Sequence, residues 1–275
     1  MKKHGTTILL VIVFLVGLSL LLYPSFSDWW NSMHQSRAVA SYVEQVAAID
    51  KKQYEDIWKA ARQHNQELLE RDNPFVLEEE RINAYEQLLN LGGTGVMGYV
   101  EIPQIGVTLP IYHGTDEAVL QIAVGHLEWT SLPVGGESTH SVISGHRGLP
   151  SAKLFTDLDK LVEGDIFIFR VLDEILTYEI DQILIVEPHE VQNLQEEEGK
   201  DLCTLLTCTP YGINSHRLLV RGHRVENTEE AKVIRVTSDA VQIDPVIVAP
   251  VVALPMLLML FIILMIPKRK KRRYD

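Results

Sequence analysis

Cysteine is scarce in this chain. Its 275 residues hold only 2, too few for a small secreted scaffold built on disulfides. Basic charge is short as well. Lys and Arg number 25 against 37 Asp and Glu, and the formal net charge of −12 argues against a nucleic-acid-binding surface. There is no internal repeat, no metal-ligand spacing and no EF-hand loop, so neither a metal nor another cofactor is expected. Apolar residues at 46% and charged residues at 23% exclude wholesale disorder, and the length allows one good-sized domain or two small ones.

Uncharged apolar runs stand at both ends. Ile8–Tyr23 spans roughly 24 Å as a helix, slightly short of a bilayer core, and Thr6 and Thr7 can extend it. Trp29 and Trp30 come next, where tryptophan favours the interface. The run reads as a retained anchor or as a cleaved signal peptide; either exports the chain beyond it. Val246–Ile266 is the second run, kinked by Pro250 and Pro255 and closed by the basic stretch Lys268–Arg273. Lys2 and Lys3 flank the first run on its N-terminal side. Basic flanks stay in the cytoplasm, so both termini are expected inside and the acidic body outside. An apolar run with a basic tail also resembles a cell-wall sorting signal. None of the Leu-Pro pairs here continues as LPxTG, so the chain does not read as a wall-anchored substrate.

Between these runs the rhythm changes once. Residues 34–71 carry apolar positions at helical spacing (Val39, Tyr42, Val43, Val46 and Ala47), and Asn73-Pro74 breaks the pattern. A second helix is expected over 77–91. From residue 97 short β-like runs take over: MGYVEIP, VTLPIYH, HSVISGH, DIFIFRVL, ILTYEIDQILIVEP, LCTLLTC and RLLVRGHR. Short helices are expected near 116–124, 152–162 and 191–196. The fold class this predicts is mainly β, a small barrel or sandwich of seven to eight strands with short helices.

Both cysteines fall in one expected strand. Five residues apart they face opposite sides, with α-carbons about 16 Å apart, beyond the reach of a disulfide. Cys208 ends the strand beside the turn Thr209-Pro210-Tyr211-Gly212, which suits a reactive thiol; Cys203, mid-strand, suits a core position. A nucleophilic thiol needs a base or ion-pair partner and a group to hold an oxyanion. His146 succeeds the strand SVIS within Gly-His-Arg-Gly, and Arg217 begins the strand after the Cys208 turn. A guanidinium beside the thiol offers paired N–H donors.

Together these residues resemble the sortases. Thr204-Leu205-Leu206-Thr207-Cys208 fits the family's TLxTC signature, Arg217 falls nine positions on, and His146 sits in Ser-Gly-His-Arg. Residues 102–115 and 130–148 look like the class C, pilus-assembling branch. The resemblance implies a sortase-type closed β-barrel and a Cys-His-Arg transpeptidase. Cys208 is then the nucleophile on an LPxTG-like sorting signal, His146 the proton donor to the leaving amine, and Arg217 the oxyanion support. A pilin lysine resolves the thioester. Thr207 and Trp129 are candidates to line the substrate groove. Class C enzymes carry a lid with an Asp-Pro-aromatic motif; here the segment is Asp72-Asn73-Pro74-Phe75, with Asn73 rather than Asp before the proline.

The expected organisation is a membrane anchor or signal over 1–30, an extracellular helical region with the lid over 31–93, and the catalytic barrel over 94–226. A tether over 227–245 and a transmembrane helix with a cytoplasmic basic tail over 246–275 complete it. Pilin subunits and the membrane are the expected partners, with no nucleic acid. Competing readings are a sortase that attaches proteins to peptidoglycan, a cysteine peptidase that releases its product to water, and a membrane-tethered binding module with a structural cysteine.

Overall fold

The computed structural model describes residues 2–71 and 79–227. The lid segment, the tether and the second apolar run lie outside the described residues.

Eight strands close into a barrel in the order β1-β2-β3-β4-β7-β8-β6-β5. They are β1 (Val96–Ile102), β2 (Val107–His113), β3 (Val124–His126), β4 (Thr139–Ser144), β5 (Ile166–Val171), β6 (Glu174–Val186), β7 (Asp201–Thr209) and β8 (His216–Val225). The pairs β2–β3 and β4–β7 are parallel and the others antiparallel. Period-two alternation sends one side chain in two inward. Ile143, Phe167, Phe169, Tyr178, Cys203, Leu205 and Val220 fill the interior, all fully buried. Burying an aliphatic or aromatic side chain of this size contributes about 1.5–3 kcal/mol, so this layer dominates the barrel's stability. Burial also pushes the Cys203 thiol's pKa well up, with the Asp201 charge adding to it, so this sulfur stays protonated.

The eighth strand is the short β3, at the end of the helix expected over 116–124. That helix is a single turn, α4 (Glu117–Leu120). The other two expected short helices are 3-10 turns at Leu158–Lys160 and Gln192–Leu194.

The helical region differs from its expected bounds. α1 runs unbroken from Lys2 to Ala48, with Pro24 inside it, so the apolar run and the start of the amphipathic helix are one rod. Among the described residues one helix, Thr7–Ala48, is long and apolar enough to cross a membrane. α2 (Lys51–Leu69) restarts after Asp50, whose carboxylate accepts from Gln53 N while Gln53 Oε1 accepts from Asp50 N. This reciprocal capping box, Asp-x-x-Gln, is the reason the helix expected over 34–71 is two. α3 (Glu79–Gln87) is the core of the helix expected over 77–91.

α1 lies along the barrel wall. Asp28 Oδ1 accepts from Lys153 N (2.7 Å), and Asn31 Nδ2 donates to Ser151 O (2.7 Å). One turn on, Gln35 Nε2 donates to Ile122 O (2.7 Å). Further along, the buried Tyr42 hydroxyl donates to Met97 O (3.0 Å) and accepts from Leu172 N (2.7 Å). α2 and α3 clasp the barrel beside it. Asn65 exchanges two hydrogen bonds with the Leu132 backbone, and the buried Tyr85 hydroxyl meets His126 Nδ1 (2.9 Å) and Gly114 N (3.1 Å).

Candidate active site

The strands β4, β7 and β8 are neighbours, and their register brings the candidate residues together. On β7, Cys203 and Leu205 point into the barrel, so Leu206 and Cys208 lie at alternate phase. Cys208 pairs directly with Arg217 across the β7–β8 ladder, and one step along the same face Leu206 pairs with Leu219. The side chains at such a position lie about 4.5–5.5 Å apart at Cβ, close enough for a guanidinium to reach the sulfur's reaction zone. Arg217 is partly held by its own turn, with Nη1 donating to Asn214 O (3.3 Å) and His216 O (3.1 Å).

β4 runs parallel to β7, and its last rung is Ser144↔Leu206. Two further steps along each chain lead to His146 on one side and Cys208 on the other. Five contacts hold that approach. Gly145 N donates to Leu206 O (3.0 Å), and the Thr207 hydroxyl donates to Gly145 O (2.7 Å). Phe155 N donates to His146 O (3.1 Å), and Arg147 Nη1 donates to Thr209 Oγ1 (3.2 Å) while its Nη2 pairs with Asp159. Only glycine fits at 145, because a Cβ there would stand 2.7 Å from the Phe155 ring and 2.8 Å from Val124. His146, Cys208 and Arg217 are each half-buried, covered enough to be held and open enough to meet a substrate.

The two groove candidates fall in different places. Thr207 is fully buried, and its hydroxyl is spent on Gly145 O, so it supports the histidine loop from behind and does not form a groove wall. Trp129 is half-buried on the barrel's outer face, packed with Leu127 and Leu206 against Val142, Val186, Leu194 and Leu219. This apolar layer begins one residue pair from Cys208 and Arg217. Asp72, Asn73, Pro74 and Phe75 lie outside the described residues. Among the described residues no His, Cys, Asp and Glu cluster could hold a metal.

Reading the sequence for chemistry passes over Arg147 and Asp159. The clamp they form with Thr209 joins the histidine loop to the cysteine strand. Its one signal is the arginine of Ser-Gly-His-Arg, directly beside the histidine. The apolar outer layer is visible in the sequence only as period-two alternation in LCTLLTC and RLLVRGHR.

Comparison with known proteins agrees with this geometry. The sortase domain family matches residues 100–225. The crystal structure of sortase C1 from Streptococcus agalactiae is 48% identical, with a TM-score of 0.68, and covers 70% of this chain and 100% of that one. Sortase C from Streptococcus pneumoniae is 46% identical, with a TM-score of 0.63, over 70% of this chain and 98% of its own. Sortase A of Streptococcus agalactiae serotype III (strain NEM316) is 26% identical over 216 residues, 76% of this chain and 82% of that protein. The barrel and its helical arm are thus shared along nearly the full length of solved relatives, and the chain belongs to the sortases, the cysteine transpeptidases.

Proposed function

We propose that this sortase polymerises pilins. Cys208, as thiolate, attacks the carbonyl between Thr and Gly of an LPxTG-like sorting signal. The oxyanion that forms is held by the Arg217 guanidinium, whose planar fork suits an oxygen carrying growing charge. His146 gives its proton to the departing glycine amine, and a thioester remains on Cys208. The neutral lysine amine of a second pilin then attacks the thioester, and the thiolate leaves. A proton from the attacking lysine nitrogen passes to His146, and an isopeptide bond joins the two subunits. The thioester keeps the acyl group activated while an amine replaces water as acceptor.

The observation that carries the reading is the Cys208↔Arg217 pair on the barrel's outer face, with the His146 loop tied to the same strand by Thr207. The pneumococcal sortase C to which the chain is 46% identical is described in terms of pilin substrate specificity. Sortases are membrane-associated with an extracellular catalytic domain, and the apolar half of α1 suits that placement. The same reading assigns Asp72–Phe75 to a lid over Cys208, between the anchored helices α2 and α3.

Intact-mass spectrometry of the full chain in detergent, mixed with an LPxTG-like peptide, tests this. An acyl adduct is expected on the wild type, faster on Phe75→Ala and absent on Cys208→Ala. Adding a pilin domain should convert the adduct to an isopeptide-linked product. Transfer to a peptidoglycan-type amine but not to pilin lysine would replace pilin polymerisation with wall anchoring. Release to water regardless of amine would make the enzyme a peptidase.

A further inference from the structure

We infer that the catalytic end of the barrel rests on the bilayer, docked through the loop after His146 and the turn between Cys208 and Arg217. The occupant of this face is the lipid surface itself. The first support is α1. Its uncharged stretch runs from Gly5 to Ser27, and Asp28 is the first charge beyond it. A hydrocarbon core of ~30 Å takes about 20 helical residues, so Asp28 and Asn31 stand at headgroup level, among Phe26, Trp29 and Trp30.

Those two side chains bond the backbone of Lys153 and Ser151. The loop that carries His146 is therefore at headgroup level too. The rest of the helix sets the barrel's orientation. Tyr42 holds Leu172, in the β5–β6 turn, about 21 Å further along the rod than Asp28. The β5–β6 turn is the end of the barrel from which β6 starts. β6 finishes at Val186, paired with Arg217, which is itself paired with Cys208. The barrel end farthest from the bilayer is thus opposite the one that bears the cysteine.

The turn at that nearer end exposes two large apolar side chains, Tyr211 (59% exposed) and Ile213 (72% exposed). It is bound to the His146 loop: Gly148, at φ +78°, is so close to the Tyr211 ring that a Cβ there would stand 2.6 Å from it. In a strongly acidic chain, residues 145–156 and 202–225 contain no acid. The acids just past the first stretch are already paired, Asp157 with Lys153 and Lys160, and Asp159 with Arg147. Glu187 and Glu190 lie one strand further round, beyond the end of β6. An apolar, acid-free face continuous with a membrane helix suits an anionic leaflet, with the tyrosine and isoleucine at the headgroup boundary.

The test uses the full chain in vesicles of phosphatidylglycerol and phosphatidylcholine, with Cys208→Ala to remove the accessible thiol. An environment-sensitive fluorophore is placed on Ile213→Cys and, separately, on Glu198→Cys near the far end of β7. Lipids spin-labelled at the headgroup should quench the 213 probe at least about twofold more than the 198 probe, and its emission should shift to the blue. Equal quenching at the two positions, or stronger quenching at 198, would overturn the inference. A blue shift at 213 that is absent in vesicles but arises with a soluble protein partner and no lipid would assign the face to a protein instead, and would overturn it as well.

Discussion

His126 shows how one buried side chain ties protonation to stability. It is fully enclosed between β3 and the helical arm, with Nε2 against Ser131 O (2.8 Å) and Nδ1 against the Tyr85 hydroxyl (2.9 Å). A carbonyl can only accept, so Nε2 carries the hydrogen, Nδ1 receives the Tyr85 proton, and the ring is neutral. Desolvation holds its pKa down at about 3, with His113 and His64 opposing the charge further and only the Ser131 bond favouring it. The unfolded chain takes up a proton near pH 6.5 that the folded chain refuses until about pH 3. Stability from this group is therefore whole above pH 6.5 and is lost as pH falls, by at most about 1.4 kcal/mol per unit. Urea unfolding of the full chain in detergent should show a loss of about 2 kcal/mol from this residue between pH 7 and pH 5. His126→Gln should flatten that dependence; equal slopes in variant and wild type would remove His126 as its cause.

At the scale of elements, β7 is the strand on which the site is hung. Its buried Thr207 faces the opposite way from Cys208 and bonds the residue before His146. Thr207→Val keeps the volume and deletes the donor. The expected cost is about 1 kcal/mol of stability, and acylation by a sorting-signal peptide should fall roughly tenfold as the histidine loop loses its tether. Alkylation of Cys208 by a small thiol reagent should hardly change. Parallel loss of both rates would mean that the strand itself had been damaged.

Much of this strand is legible in the sequence. Alternation in LCTLLTC separates an inner Cys203 from an outer Cys208, and the spacing to Arg217 matches a hairpin. Features with no local period escape such a reading. β3 is three residues long, shorter than any alternation can signal, and exists because β2 and β4 flank it. The break between α1 and α2 depends on one cap, Asp50 with Gln53, within an otherwise helical rhythm. The buried role of Thr207 comes from a contact with Gly145 across two strands, which spacing along one strand cannot reveal.

For the whole molecule, the apolar N-terminal half of α1 and the barrel are joined by a rod rather than a string. Tyr42 is the rivet at its outer end, bonded to Met97 and Leu172 and packed edge-on against Tyr99. Tyr42→Phe would leave the Leu172 N–H buried and unpaired, at a cost of about 1–3 kcal/mol. The expected result is a lower urea midpoint and faster protease cleavage in α1, read by peptide mapping of the full chain. An unchanged midpoint would show that packing alone secures the rod.

Closure of the sheet has a consequence of its own. Every strand has two neighbours, so the barrel has no free edge strand to offer an arriving extended peptide. A sorting signal cannot be recognised by joining the sheet as an extra strand, the route by which many domains capture peptides independently of side chains. Selectivity must instead be written in side chains on the outer wall. For the same reason neighbouring copies have no edge strand through which to zip together.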